Sequence, residues 1–188
     1  MIKIGITGSL ASGKSTVAKI FSGKKYPLFN SDKIVKKIYK SNYFKKKILI
    51  KFKIIANKNF KKEILKKISK NKTLLKKIEK IVHPLVRKEI RQFSKKNKRK
   101  KILVFEVPLL IESKLMSNYD VIIFVNSKKK LRLKRFLRRG KSINLFNFLD
   151  KRQLPAAKKI KYCDEVINNN FSLKKLRKNV KIIKKNYE

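Results

Sequence analysis

The stretch Gly8-Ser9-Leu10-Ala11-Ser12-Gly13-Lys14-Ser15 constrains this chain more than any other. It fits the pattern G-x-x-x-x-G-K-[ST] at every required position, and it stands in the context that gives the pattern meaning. Before it, Ile2-Lys3-Ile4-Gly5-Ile6-Thr7 is a short β-branched run that reads as a buried strand. After it, Ser15-Thr16-Val17-Ala18-Lys19-Ile20-Phe21 reads as a helix start. Strand, glycine loop and helix turn successive backbone N–H groups toward one point, a nest for phosphate. The helix dipole adds partial positive charge there. In such a nest Lys14 reaches the β- and γ-phosphates and the Ser15 hydroxyl sits on Mg²⁺. Only five glycines occur, and Gly5, Gly8 and Gly13 precede Lys14, so general glycine richness does not produce the match. The loop calls for ATP or GTP and leaves the phosphate acceptor open.

Lysine saturates the rest of the chain. Its 55 Lys and Arg against 11 Asp and Glu give a formal net charge of +44. Lysine outnumbers arginine, and Asn, Ile, Phe and Tyr are also plentiful, all residues of A/T-rich codons. The lysines run through the whole chain, whereas a dedicated nucleic-acid binder concentrates its charge, often with Arg and interleaved aromatics. The excess therefore reads as drift, with no specific nucleic acid expected as partner. Hydrophobic content of 42% in 188 residues supports one good core with a small inserted lobe. No apolar run approaches the ~20 residues of a membrane span, so no membrane partner is expected. The single cysteine, Cys163, allows no internal disulfide and fits a reducing compartment. The first residues enter a core strand directly, which leaves no place for a signal peptide. The expected location is cytoplasmic.

Where carboxylates are scarce, those at strand ends carry chemical weight. Tyr26-Pro27-Leu28-Phe29 reads as a short second strand, closed by Asn30-Ser31-Asp32 and followed by a helix with Ile34, Val35, Ile38 and Tyr39 on one face. Ligands of open α/β sheets bind outside the carboxyl ends of the strands, so Asp32 is expected on the same edge as the loop. A carboxylate there accepts the proton of a substrate hydroxyl and aims the oxygen at the γ-phosphate. The other reading of Asp32 is a helix N-cap. Ile102-Leu103-Val104-Phe105 is a third strand ending at Glu106, a carboxylate suited to holding a water of the Mg²⁺ shell. Asp120 to Val125 is a fourth strand, and Glu165-Val166-Ile167 a fifth, with Asn168-Asn169-Asn170 turning out of it. Such continuous apolar runs are what parallel strands covered on both faces look like.

Between the second and third strands, Phe44 to Phe93 carries apolar residues at helical intervals and no strand pattern. It is a helical insertion, with Ile48, Leu49 and Phe52 early and Ile64, Leu65, Ile68, Leu74, Leu75 and Ile78 later. Within it lies the only histidine, His83, whose default reading is structural; Pro84 suits the first turn of a new helix. Arg87, one turn on, suits a phosphate clamp. Lys128 to Arg139 reads as a helix with Arg135 and Arg139 on one face, either a clamp on the nucleotide or a solvated basic face. Gly140 breaks it, and Ser142 to Lys161, containing Gln153, reads as a mobile lid. From Leu173 the chain ends in an amphipathic helix.

Five segments in this order resemble the dephospho-coenzyme A kinase family. They are Thr7-Gly8 through Thr16, Asp32-Lys33-Ile34-Val35, His83-Pro84-Leu85-Val86-Arg87, Val107-Pro108-Leu109-Leu110-Ile111-Glu112, and Cys163-Asp164-Glu165-Val166-Ile167-Asn168-Asn169. The loop is shared with many kinases; the third and fourth segments are narrower and carry the assignment. The resemblance implies an α/β nucleotide kinase with a phosphate-binding loop and a five-stranded parallel sheet between helices. Residues 1–40 and 95–188 would form the core, with a lid at about 140–160, and 41–94 a helical coenzyme A-binding insertion. It implies transfer of the ATP γ-phosphoryl to the ribose 3′-hydroxyl of dephospho-coenzyme A, with ATP and Mg²⁺ as cofactors. Gly8, Ala11, Ser12, Gly13, Lys14, Ser15, Thr16, Arg135, Arg139 and Asn169 would bind ATP, Asn169 near the adenine. Asp32, Lys14 and Arg139 would be catalytic. Asp32, His83, Arg87, Pro108 and Leu109 would meet the substrate, and Ser15 and Glu106 the metal. The chain departs from the family where Asn30 replaces a usual Asp, Ser9 a usual Gly, and Arg139-Gly140 a usual Arg-Asp-Gly, which lets Arg138 and Arg139 exchange roles. The other readings are a different small-molecule or nucleoside monophosphate kinase of the same fold, and a basic nucleic-acid-binding protein with a vestigial loop.

Overall fold

The computed structural model describes residues 1–52 and 72–188. Five strands form one parallel sheet: β1 (Ile2–Gly8), β2 (Leu28–Asn30), β3 (Ile102–Glu106), β4 (Val121–Asn126) and β5 (Glu165–Asn168), in the order β2-β3-β1-β4-β5. The expected five strands are all present, each within two residues of its expected bounds. The described helices are α1 (Lys14–Ser22), α2 (Ser31–Lys40), α3 (Asn42–Phe52), α4 (Lys72–Lys96), α5 (Lys129–Leu137), α6 (Ile143–Asp150), α7 (Ala156–Ile160) and α8 (Leu173–Lys185).

The chain separates into two compact units, Met1–Asn30 with Asn97–Glu188, and Ser31–Lys96. In the first unit every residue of β3 is buried, as a strand covered on both faces requires. On one face Ile4, Ile6, Val104, Ile123, Val125 and Ile167 pack with Val17 and Phe21 of α1 and Leu176 and Val180 of α8. All strands run the same way, so Gly8, Asn30, Glu106, Asn126 and Asn168 end together at one edge, with Asn30 beside Glu106 and Asn126 beside Asn168. The chain leaves β1 toward β2 and β3 on one side and then crosses to β4 on the other. β1 is therefore the switch point, and the edge beyond it is where ligands of such sheets bind.

The second unit has its own core: Ile38 of α2, Phe44 and Ile48 of α3, and Ile78 and Val82 of α4. That packing explains two differences from expectation. The expected core domain extends to residue 40, but Ile34, Val35 and Ile38 bury against α3 and α4, so α2 belongs with the helices. Pro84 was expected to open a new helix, yet α4 runs through it unbroken. An interior proline loses one helical bond and costs about 3 kcal/mol. Ile78, Ile81 and Val82 before it, and Leu85 and Val86 after it, pack on this core and hold both halves in line. The apolar positions expected at Ile64, Leu65 and Ile68 lie outside the described residues.

Candidate functional site

The loop from Gly8 to Ser15 joins β1 to α1 at the carboxyl edge of the sheet. Gly8 has φ +152°, and a Cβ there would lie 2.5 Å from the Val125 carbonyl oxygen, so the loop leaves the sheet pressed against β4. Gly13 stands at the head of α1 with φ +99°, a left-handed value that side chains disfavour. Ala11 also has positive φ, 56°, and is buried against Phe136 and Phe146. Ser9, in place of the family's usual glycine, is not among the described residues with positive φ. Its carbonyl accepts from Lys14 Nζ at 2.9 Å and from Ser12 N at 3.2 Å, so the loop tolerates a serine there.

Lys14 is nearly buried, and its ammonium folds back onto the loop, donating also to the Gly8 carbonyl at 3.2 Å. A charged group held by two backbone carbonyls is poised to exchange them for phosphate oxygens. Ser15 opens outward on the first turn of α1, and its hydroxyl donates to Glu106 Oε1. Glu106 closes β3 at 2% exposure. Its Oε2 accepts from Asn30 Nδ2, the side chain next to it across the sheet. Asn30 thus supplies a donor to Glu106, where an aspartate would set two carboxylates against each other. A hydroxyl oxygen and a carboxylate side by side are hard donors that fit Mg²⁺, an ion that usually keeps several waters and leans on substrate phosphates. Among the described residues no cluster of His, Cys, Asp and Glu forms a cage of its own.

Behind the loop, Arg135 is half-buried and fully engaged. Its Nη1 donates to Ser12 O at 3.3 Å and to Ser127 Oγ at 3.0 Å; its Nη2 donates to Asn169 O at 2.8 Å. Burial and the nearby Arg139 guanidinium lower its pKa. Arg139 itself is exposed and lies past the end of α5, with Arg138 as the capping residue. Arg135 thus turns in to the loop from α5, while Arg139 lies beyond the last helical residue, Leu137, exposed and close enough for its charge to bear on Arg135. Asn169 is 7% exposed and also turned to the loop, its Nδ2 on Ser12 O at 2.8 Å.

The segment expected to be a mobile lid is tied down in several places. Gln153 Oε1 accepts the Leu10 amide at 2.8 Å. Arg132, which composition gave no reason to single out, pairs with Asp150 at 2.5 Å and donates to Leu10 O at 3.3 Å. Glu112 accepts the Leu154 amide and pairs with the fully buried Lys159 at 2.5 Å. Pro108 stands just past β3, its carbonyl taking the Thr7 hydroxyl at 3.2 Å, and Leu109 is 42% exposed. Thr16 is exposed on α1.

In the helical unit, Asp32 is exposed in the first turn of α2 rather than ahead of it. Its carboxylate is thus placed to meet the helix dipole and not to cap. His83 and Arg87 are both exposed, one turn apart on α4, so His83 is no buried structural histidine.

A family model described as "Dephospho-CoA kinase" matches residues 2–175. The dephospho-CoA kinase of Fusobacterium nucleatum is 37% identical over 182 residues, covering 94% of each chain. Among solved structures, TT1252 from Thermus thermophilus superposes with TM-score 0.82 at 26% identity, covering 100% of this chain and 98% of that one. Dephospho-CoA kinase from Campylobacter jejuni does so with TM-score 0.66 at 26% identity, covering 99% and 97%. A chain with this loop, this sheet and these relatives belongs to the dephospho-CoA kinase family.

Proposed function

We propose that this chain transfers the γ-phosphoryl group of ATP to the ribose 3′-hydroxyl of dephospho-coenzyme A, releasing coenzyme A and ADP. The acceptor in this reading rests on membership of the family, and the triphosphate on the Ser15–Glu106 pair at the mouth of the phosphate loop. In this reading the loop amides and Lys14 hold the β- and γ-phosphates. Ser15 and Glu106 would hold Mg²⁺, which when bound would neutralise phosphate charge. Asp32 takes the proton of the 3′-hydroxyl as its oxygen attacks the γ-phosphorus. The bond to the bridging oxygen breaks, and ADP leaves. Arg139, exposed at a turn, meets the charge that develops on the transferred group. His83, Arg87, Pro108 and Leu109 are the residues of this reading that would bind the acceptor, and 41–94 its helical insertion. The lid spans about residues 140–160, and the compartment is the cytoplasm.

A coupled ADP-release assay against a panel of acceptors tests the reading. Dephospho-coenzyme A is expected to be turned over far faster than any nucleoside monophosphate or shikimate. Faster turnover of one of those would move the chain to another kinase class.

The outer face of α8 favours a second reading, for it lines Lys174, Arg177, Lys178, Lys181 and Lys185 along one groove. Such a stripe attracts any polyanion. Drift predicts oligonucleotide binding that is weak, blind to sequence and lost steeply as salt rises, which a fluorescence anisotropy titration at several salt concentrations reads directly. Tight binding that survives physiological salt and prefers one sequence would promote nucleic acid to a true partner.

A further inference from the structure

Asn169 and Arg135 converge on one atom. The Ser12 carbonyl oxygen accepts from Asn169 Nδ2 at 2.8 Å and from Arg135 Nη1 at 3.3 Å. Both donors are fixed in turn. The Asn169 amide N–H donates to Asn126 O at 2.8 Å at the end of β4, and its carbonyl accepts from Ser127 Oγ at 3.1 Å and Arg135 Nη2 at 2.8 Å. The brace therefore ties the loop to the ends of β4 and β5 and to α5.

The C=O and N–H of a trans peptide point opposite ways. Holding the Ser12 carbonyl from behind directs the Gly13 N–H to the front, into the concavity of the loop. Donors on the carbonyl also polarise the peptide and strengthen its N–H as a donor. Gly13 completes the fit: a Cβ there would lie 2.2 Å from Asn169 Nδ2, so the asparagine amide fills the space that any other residue would need.

Resting on the reading of this loop as a triphosphate site, we propose that Asn169 and Arg135 are positioning residues. They hold the Ser12–Gly13 peptide so that its N–H faces phosphate, and neither side chain is a ligand of the nucleotide. Exposed cations remain near the end of α5 for the phosphates, Arg138 and Arg139 among them.

Two variants and two probes test this. Asn169→Leu keeps the branched shape at a larger volume, adds no charge and removes the donor. Arg135→Lys keeps the cation but loses the planar fork that bridges Ser12, Ser127 and Asn169. Each is titrated by calorimetry with ATP and with inorganic tripolyphosphate, well below its melting temperature. Action through the loop predicts that both affinities fall together, by about tenfold for the loss of a buried bond. A base contact by Asn169 predicts loss for ATP alone, and that result overturns the proposal. So does unchanged affinity for both probes, the outcome of a purely structural role once the protein is folded. A direct phosphate contact by Arg135 predicts that lysine largely substitutes, which overturns its half. If Asn169→Leu does not fold, Arg135→Lys decides alone. Failure of the wild-type protein to bind either probe would instead reject the triphosphate site itself.

Discussion

Lys14→Ala is expected to lower the rate of phosphoryl transfer by about 10²–10³, the loss that follows removal of one positioned charge from a transition state. Lys14 lies nearly buried with its ammonium on the Gly8 and Ser9 carbonyls, so its charge is already inside the loop before phosphate arrives. Truncation strips two carbonyls of a donor, at about 1–3 kcal/mol in the worst case. In a chain of this size that lowers the melting temperature by about 2–4 °C per kcal/mol and leaves the fold standing at assay temperature. Lys14→Met keeps the aliphatic stem and loses only the charge. It should show the same rate loss with a smaller thermal shift, and the two variants together separate catalysis from stability. Turnover near wild type in either variant would remove Lys14 from the mechanism.

The sequence made most of the first unit legible because its constraints are local and severe. Gly8 and Gly13 are dictated by a close approach and a left-handed turn, and no other residue type satisfies both. The strands were legible because burial on both faces leaves unbroken apolar runs such as Ile102 to Phe105. What escaped depends on partners far apart in the chain. Arg132 and Asp150 meet between α5 and α6, and Gln153 reaches back to Leu10 across more than half the sequence; no spacing rule connects them. Arg135 and Arg139 show the opposite failure. Their separation suggested one helix face, but α5 stops at Leu137, so Arg139 falls beyond the helix. Pro84 failed in a third way, since packing on both sides overrode a sound local rule. Asn30 was legible only as a lost carboxylate; that its amide holds Glu106 needs the register of β2 against β3.

Asp32→Asn is expected to cut kcat by about 10²–10⁴, the usual worth of a general base. The structure sharpens this test by removing its main rival. An N-cap precedes the helix, but Asp32 lies inside the first turn of α2, so the structural role left to it is a charge at the positive end of the helix. Neutralising that charge costs about 0.3–1 kcal/mol of stability and nothing in chemistry. Asn is nearly the same shape as Asp, and Asp32 is exposed, so no core packing is disturbed. The two roles therefore predict different measurements on one variant. A base predicts a collapse in kcat with ATP affinity almost unchanged, because the loop amides and Lys14 hold the phosphates without Asp32. A dipole charge predicts a small thermal shift and normal turnover. Retention of more than about a tenth of the wild-type rate falls below the smallest loss expected of a general base and would return Asp32 to the helix.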